Sequence, residues 1–170
     1  MRNLTVGMIV GLLMGGVAAA QTPDAQVMAP IQKFMDTFNK GDVAGAAATH
    51  AADADLSIVD EVSPFHWRGL RAFAEWSTAL DADSKKRGIT DQIVKIGAPT
   101  RREVTGDQAY VIVPAVYTFK EAGVDKRASA QMTFTLKKSG GVWLIHGWTW
   151  TGPKASATAP KASPAAPARK

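Results

Sequence analysis

The chain contains no cysteine. Disulfides, thiolate metal ligands, a cysteine nucleophile and lipid attachment through cysteine are all excluded, so the fold must hold by packing alone. No glycine-rich phosphate loop precedes a helix pattern, and no serine stands in a Gly-x-Ser-x-Gly turn, which removes support for the common nucleotide-binding and serine-hydrolase classes. Three histidines occur, His50, His66 and His146, and their spacing matches no paired metal motif. Neither a metal nor a cofactor is expected. Beyond the N-terminus no run is apolar enough to cross a bilayer.

What is present begins with a secretory signal. Arg2 supplies the positive start, residues 4–17 the apolar stretch, and Ala18, Ala19 and Ala20 a small-residue cleavage site. Gly7, Gly11, Gly15 and Gly16 interrupt that stretch, which is shorter than the roughly 20 residues of a membrane span. Residues 1–20 are therefore expected to be removed and the product exported, to periplasm or medium, without a transmembrane anchor.

The formal net charge of +5 is unevenly placed. Arg2 belongs to the signal, and Lys154, Lys161, Arg169 and Lys170 belong to an Ala/Pro/Lys-rich tail, leaving 15 basic against 15 acidic residues. A neutral folded part has no electrostatic footprint for nucleic acid. The tail, residues 153–170, has no aromatic or branched aliphatic residue to bury and is expected to be disordered.

The remaining 21–152 are of one-domain length. Val27, Ile31, Phe34, Met35 and Phe38 recur at helical spacing until Asn39-Lys40-Gly41, and Asp42 caps a second, alanine-rich helix running to about His50. Leu56, Ile58 and Asp60 alternate as a first strand. An irregular stretch through Pro64 to Gly69 follows, then a third helix with Leu70, Phe73, Trp76 and Leu80 on one stripe. Long strands are expected over 90–103, 108–120, 126–138 and 142–151, separated by glycine-containing turns. Helices followed by antiparallel strands give an α+β class.

The stretch from Ile31 through Asp42, with its Gly-Asp turn, resembles the first helix of NTF2-like proteins, and Gly141-Val142-Trp143-Leu144-Ile145 with His146 and Trp148 resembles their last strand. The resemblance, to the SnoaL-like and ketosteroid-isomerase-like branch among others, implies a cone: a curved antiparallel sheet wrapped around an N-terminal helical hairpin and a third helix, with an apolar pocket at one end. Members are often dimers, and include isomerases, dehydratases and hydrolases beside pure binders.

Ketosteroid isomerases need two oxyanion donors and a carboxylate base. Carried over by position, the donors fall on Phe34 and Met132 and the base on Ile58, all apolar. That chemistry is not expected, because loss of even one donor costs about 100- to 1000-fold in rate. Asp60, two residues on, is either a displaced base or a solvated carboxylate at a strand end. His66 is either a general acid/base near the pocket mouth or a loop histidine flanking buried Trp67.

An even-numbered turn after Glu121 pairs Val113 with Met132 and sets Val111, Ala115, Tyr117 and Phe119 on the helix-facing side. Tyr117 is either the main pocket hydroxyl or a packing aromatic. The opposite side would carry Tyr110, Ile112 and Val116 and, if the last hairpin has an even turn, His146, Trp148 and Trp150, and a sheet apolar on both faces suggests a homodimer. The expected pocket is lined by Phe34, Phe38, Trp67, Trp76, Tyr117 and Met132 and takes a small hydrophobic ligand. The alternatives are a proton-transfer or hydration enzyme using Asp60 and His66, and a cell-surface protein-interaction module.

Overall fold

A computed structural model describes residues 23–158. The signal expected at 1–20 and most of the tail lie outside them. The order of elements is α1 (Pro23–Asn39), α2 (Val43–Ala47), β1 (Ser57–Val59), β2 (His66–Arg68), α3 (Ala72–Arg87), β3 (Ile89–Ile96), β4 (Arg101–Thr105), β5 (Gln108–Glu121), β6 (Val124–Ser139), β7 (Val142–Thr151) and β8 (Ser156–Ala157). A curved, unclosed sheet runs β2-β1-β7-β6-β5-β3, with β4 on β5 and β8 on β6. All these pairs are antiparallel except β1 with β7.

Three helices form in the expected order, although α2 ends at Ala47 rather than near His50. Val27, Ile31, Phe34 and Met35 are buried along one stripe of α1, and the Asp42 carboxylate accepts the Gly45 amide at 2.8 Å to cap α2. Gly88, in the left-handed conformation, ends α3 behind three basic residues. Asn39 then fastens α1 to the sheet: its side chain donates to the Val94 carbonyl at 2.9 Å and accepts the Val94 amide at 2.8 Å.

Strands β5 and β6 pair in unbroken register, Val113 opposite Met132. The connection Ala122-Gly123, both at positive φ, is the two-residue turn whose twist suits a hairpin. Val111, Val113, Ala115, Met132 and Phe134 are accordingly buried on the inner side.

Five expectations are corrected. The stretch before α3 contains a strand, β2, because Trp67 packs into the core opposite Ile58 of β1. Leu70 lies ahead of α3 and is exposed. The strand expected over 90–103 divides into β3 and β4, with Gly97 and Pro99 between them. Ser156 and Ala157 of the tail are ordered by pairing with β6.

The fifth correction concerns function. The β6–β7 turn has two residues, Gly140 and Gly141, as an even turn requires, but the register slips between Thr135 and Leu136, so that Leu136 faces Ile145 while Thr135 faces Gly147. His146 is the extra residue of a β-bulge, which inverts the inside and outside of everything beyond it. Trp148 lies opposite Phe134 and Trp150 opposite Met132, so both tryptophans point inward rather than onto the outer face. Gly147 is required at the bulge, since a Cβ there would stand 2.9 Å from the Ser57 carbonyl oxygen of β1.

Candidate functional site

Between α1, α3 and the inner side of the sheet lies a cavity of about 60 Å³. Its walls include Phe34 and Phe38 from α1, Trp76 from α3, Tyr117 from β5, Met132 from β6, and Trp148 and Trp150 from β7. The rings interlock: Trp76 meets Trp148 edge to face at 5.0 Å, and Phe34 approaches Trp76 at 6.1 Å and Trp148 at 5.8 Å. The bulge at His146 is what brings Trp148 and Trp150 here.

The polar part of the wall is Asp60, with Glu61, Asp83 and Arg87 beside it. Asp60 follows β1 on the same side as fully buried Ile58, and the parallel register of Val59 with Thr149 sets it at the level of Trp150. Its Oδ2 accepts the Trp76 indole N–H at 2.7 Å and its Oδ1 accepts the Glu61 amide at 2.7 Å. Burial pushes the Asp60 carboxyl above the ordinary carboxylate range, and the two hydrogen bonds hold part of that rise back. Glu61, at the exposed rim, is raised by partial burial and then by the charge of Asp60. Tyr117 is raised further still, by burial first and by Glu61 and Asp60 next, and its hydroxyl donates to Gln92 Oε1 at 2.6 Å. It is therefore a held phenol at the cavity wall.

Of the six pocket residues expected from the sequence, Phe34, Phe38, Trp76, Tyr117 and Met132 line one cavity. Trp67 is buried in the core and does not line it. Asp60 and His66 do not share the cavity: His66 pairs opposite outward-facing Val59, is exposed, and lies 3.0 Å from the Ser57 hydroxyl. Across the β1–β2 pair the two side chains of interest fall on opposite faces of the sheet.

Sequence reasoning missed two features. Trp150, assigned to the outer face, is at the cavity, and its indole nitrogen is shielded from solvent with no hydrogen-bond partner among the described residues. His50 is buried behind Phe34; its Nδ1 lies 3.0 Å from the Ala46 carbonyl and its Nε2 accepts the Trp148 indole N–H at 3.1 Å. Those partners fix a neutral ring protonated at Nδ1, and burial lowers its pKa to about 4. It positions Trp148. His146, the third histidine, pairs with Asp53 at 3.0 Å, outside the cavity. No cluster able to hold a metal ion occurs among the described residues, and no helix among them is long and apolar enough to cross a membrane.

The chain matches no family model and no curated protein. It is similar to solved structures: an NTF2-like superfamily protein from Salmonella enterica serovar Typhimurium, 15% identical, TM-score 0.62, covering 81% of this chain and 94% of that one; a type 2 hexachlorocyclohexane dehydrochlorinase, 15% identical, TM-score 0.64, covering 84% and 95%; and a putative scytalone dehydratase from Novosphingobium aromaticivorans, 10% identical, TM-score 0.63, covering 81% and 89%. At such identities the likeness is one of architecture, and by its architecture the chain is an NTF2-like α+β cone.

Proposed function

We propose that this is an exported protein that binds a small, largely hydrophobic molecule in the aromatic cavity, with one polar group of the ligand turned to Asp60. The observation that carries this is the composition of the cavity: interlocked rings with the partly buried Asp60 carboxylate in their wall and Glu61, Asp83 and Arg87 beside it. Apolar walls with few convergent polar groups are the usual form of a small-molecule site. The free volume is under half of the roughly 150 Å³ that takes up benzene in an engineered cavity, so a slender ligand enters as the cavity stands and a ring-sized one only as side chains move.

Native mass spectrometry of the protein purified gently from its own cells tests this. A retained small molecule, lost on filling the cavity by Met132→Trp, supports the proposal. A clean polypeptide mass, with no binding of small amphiphiles added afterwards, would oppose it. The same spectrum reads whether residues 1–20 are gone and whether the chain pairs. Pairing through the outer sheet face rests on Tyr110, Ile112 and Val116, since both tryptophans assigned to it lie inside.

A second reading is proton transfer with Asp60 as base, favoured by its raised pKa in an apolar wall. His66 is not part of it. Exchange of a ligand C–H for deuterium by the wild type and not by Asp60→Asn would separate catalysis from binding.

A further inference from the structure

Charge does not balance along the wall that Asp60 and Glu61 form. The hydrogen bonds to Asp60 come from neutral donors, the Trp76 indole and the Glu61 amide. Arg87, the cation of the cavity wall, is already held by Asp83 at 3.1 Å and by Glu121 at 2.8 Å. Glu61 makes no side-chain hydrogen bond or ion pair among the described residues; Arg87 and Lys154 act on it only through space, as do Asp60 and Asp83 with the opposite sign. Two successive carboxylates thus border an apolar space with no cation in contact. The space itself is walled by Trp76, Trp148 and Trp150, whose ring faces attract positive charge. The Trp150 indole nitrogen is shielded from solvent and has no partner among the described residues.

Building on the cavity as the binding site, we propose that its natural occupant is an organic cation, a protonated amine whose ammonium group lies on Asp60 and Glu61 and whose short apolar body lies among the indoles. The ammonium supplies the missing counter-charge and three donors. A carboxylate ligand of the same shape would meet like charge, and a neutral alcohol would gain one hydrogen bond without the charge.

The test is a titration at pH 8 with three probes of matched shape, n-butylamine, n-butanol and n-butyrate, followed by the indole N–H resonances of the full mature chain. Butylamine is expected to shift Trp76, Trp148 and Trp150, to bind at least tenfold more tightly than butanol, and to lose that preference in Asp60→Asn and in Glu61→Gln while butanol still binds. Glu61 is exposed at the rim, so its variant keeps the test valid should Asp60→Asn fail to fold. Equal binding of amine and alcohol at the three indoles overturns the cation proposal and leaves the cavity as a site. Shifts at none of the three with any probe overturn both.

Discussion

The Trp76 indole N–H donates to Asp60 Oδ2 at 2.7 Å, joining the second turn of α3 to the residue that follows β1 in the cavity wall. This bond orients the carboxylate and keeps it closer to its ordinary titration range than burial alone would. Trp76→Phe removes the donor while retaining an aromatic ring. Unfolding in urea should show a loss of about 2 kcal/mol, and the Asp60 carboxyl, followed by carbon NMR, should titrate at a higher pH than in the wild type.

Asp60 sets a pH dependence of definite sign. Its folded pKa is raised above the free value of 3.8, so the folded state holds the proton more tightly. Its contribution to stability is greatest below the free value and is lost as pH rises through the folded value. Asp60→Asn lacks this titration. The stability of Asp60→Asn relative to wild type should improve as pH is raised from 4 to 8, measured by denaturation at each pH; a constant difference would contradict the burial of Asp60.

His50 acts in the opposite sense. Its pKa falls from 6.5 to about 4 on folding, so the unfolded chain takes up a proton that the folded chain refuses. Stability present above pH 6.5 is lost as pH falls toward 4, by about 2 kcal/mol between pH 7 and pH 5. His50→Gln should flatten this segment of the stability curve, and it should also disturb Trp148, which His50 holds at 3.1 Å.

Gly147→Ala tests the bulge. The added Cβ would meet the Ser57 carbonyl oxygen at 2.9 Å and the Thr135 hydroxyl at 3.0 Å, and the first is backbone that cannot turn aside. A loss of about 1–3 kcal/mol is expected, with amide exchange quickening in β1. Unchanged stability and exchange would mean that β1 does not lie against β7 at this point.

Local pattern made much of this legible. The helical stripe through Phe34 and Phe38 follows from spacing. The inner face of β5 and β6 follows from alternation once Ala122-Gly123 is taken as a two-residue turn, and four of the six expected cavity residues fall out of those two facts, with Trp76 added by the apolar stripe of the third helix. What was not legible depends on insertion and on contact at long range. A bulge adds one residue without altering composition, so nothing near His146 announces that Trp148 and Trp150 turn inward. Asp60 reads as a strand-end carboxylate beside Glu61 until Trp76, sixteen residues on, closes over it. His66 lies six residues from Asp60 in a stretch without alternation, and only the pairing of β1 with β2 reveals that the two face opposite ways.

The most direct test is a crystal structure of the protein purified from its own cells without added ligand. The account predicts non-protein density among Trp76, Trp148 and Trp150, with a polar atom of the occupant within hydrogen-bond distance of Asp60. A cavity closed by its own side chains, with the Asp60 carboxylate turned to solvent and free of Trp76, would contradict it.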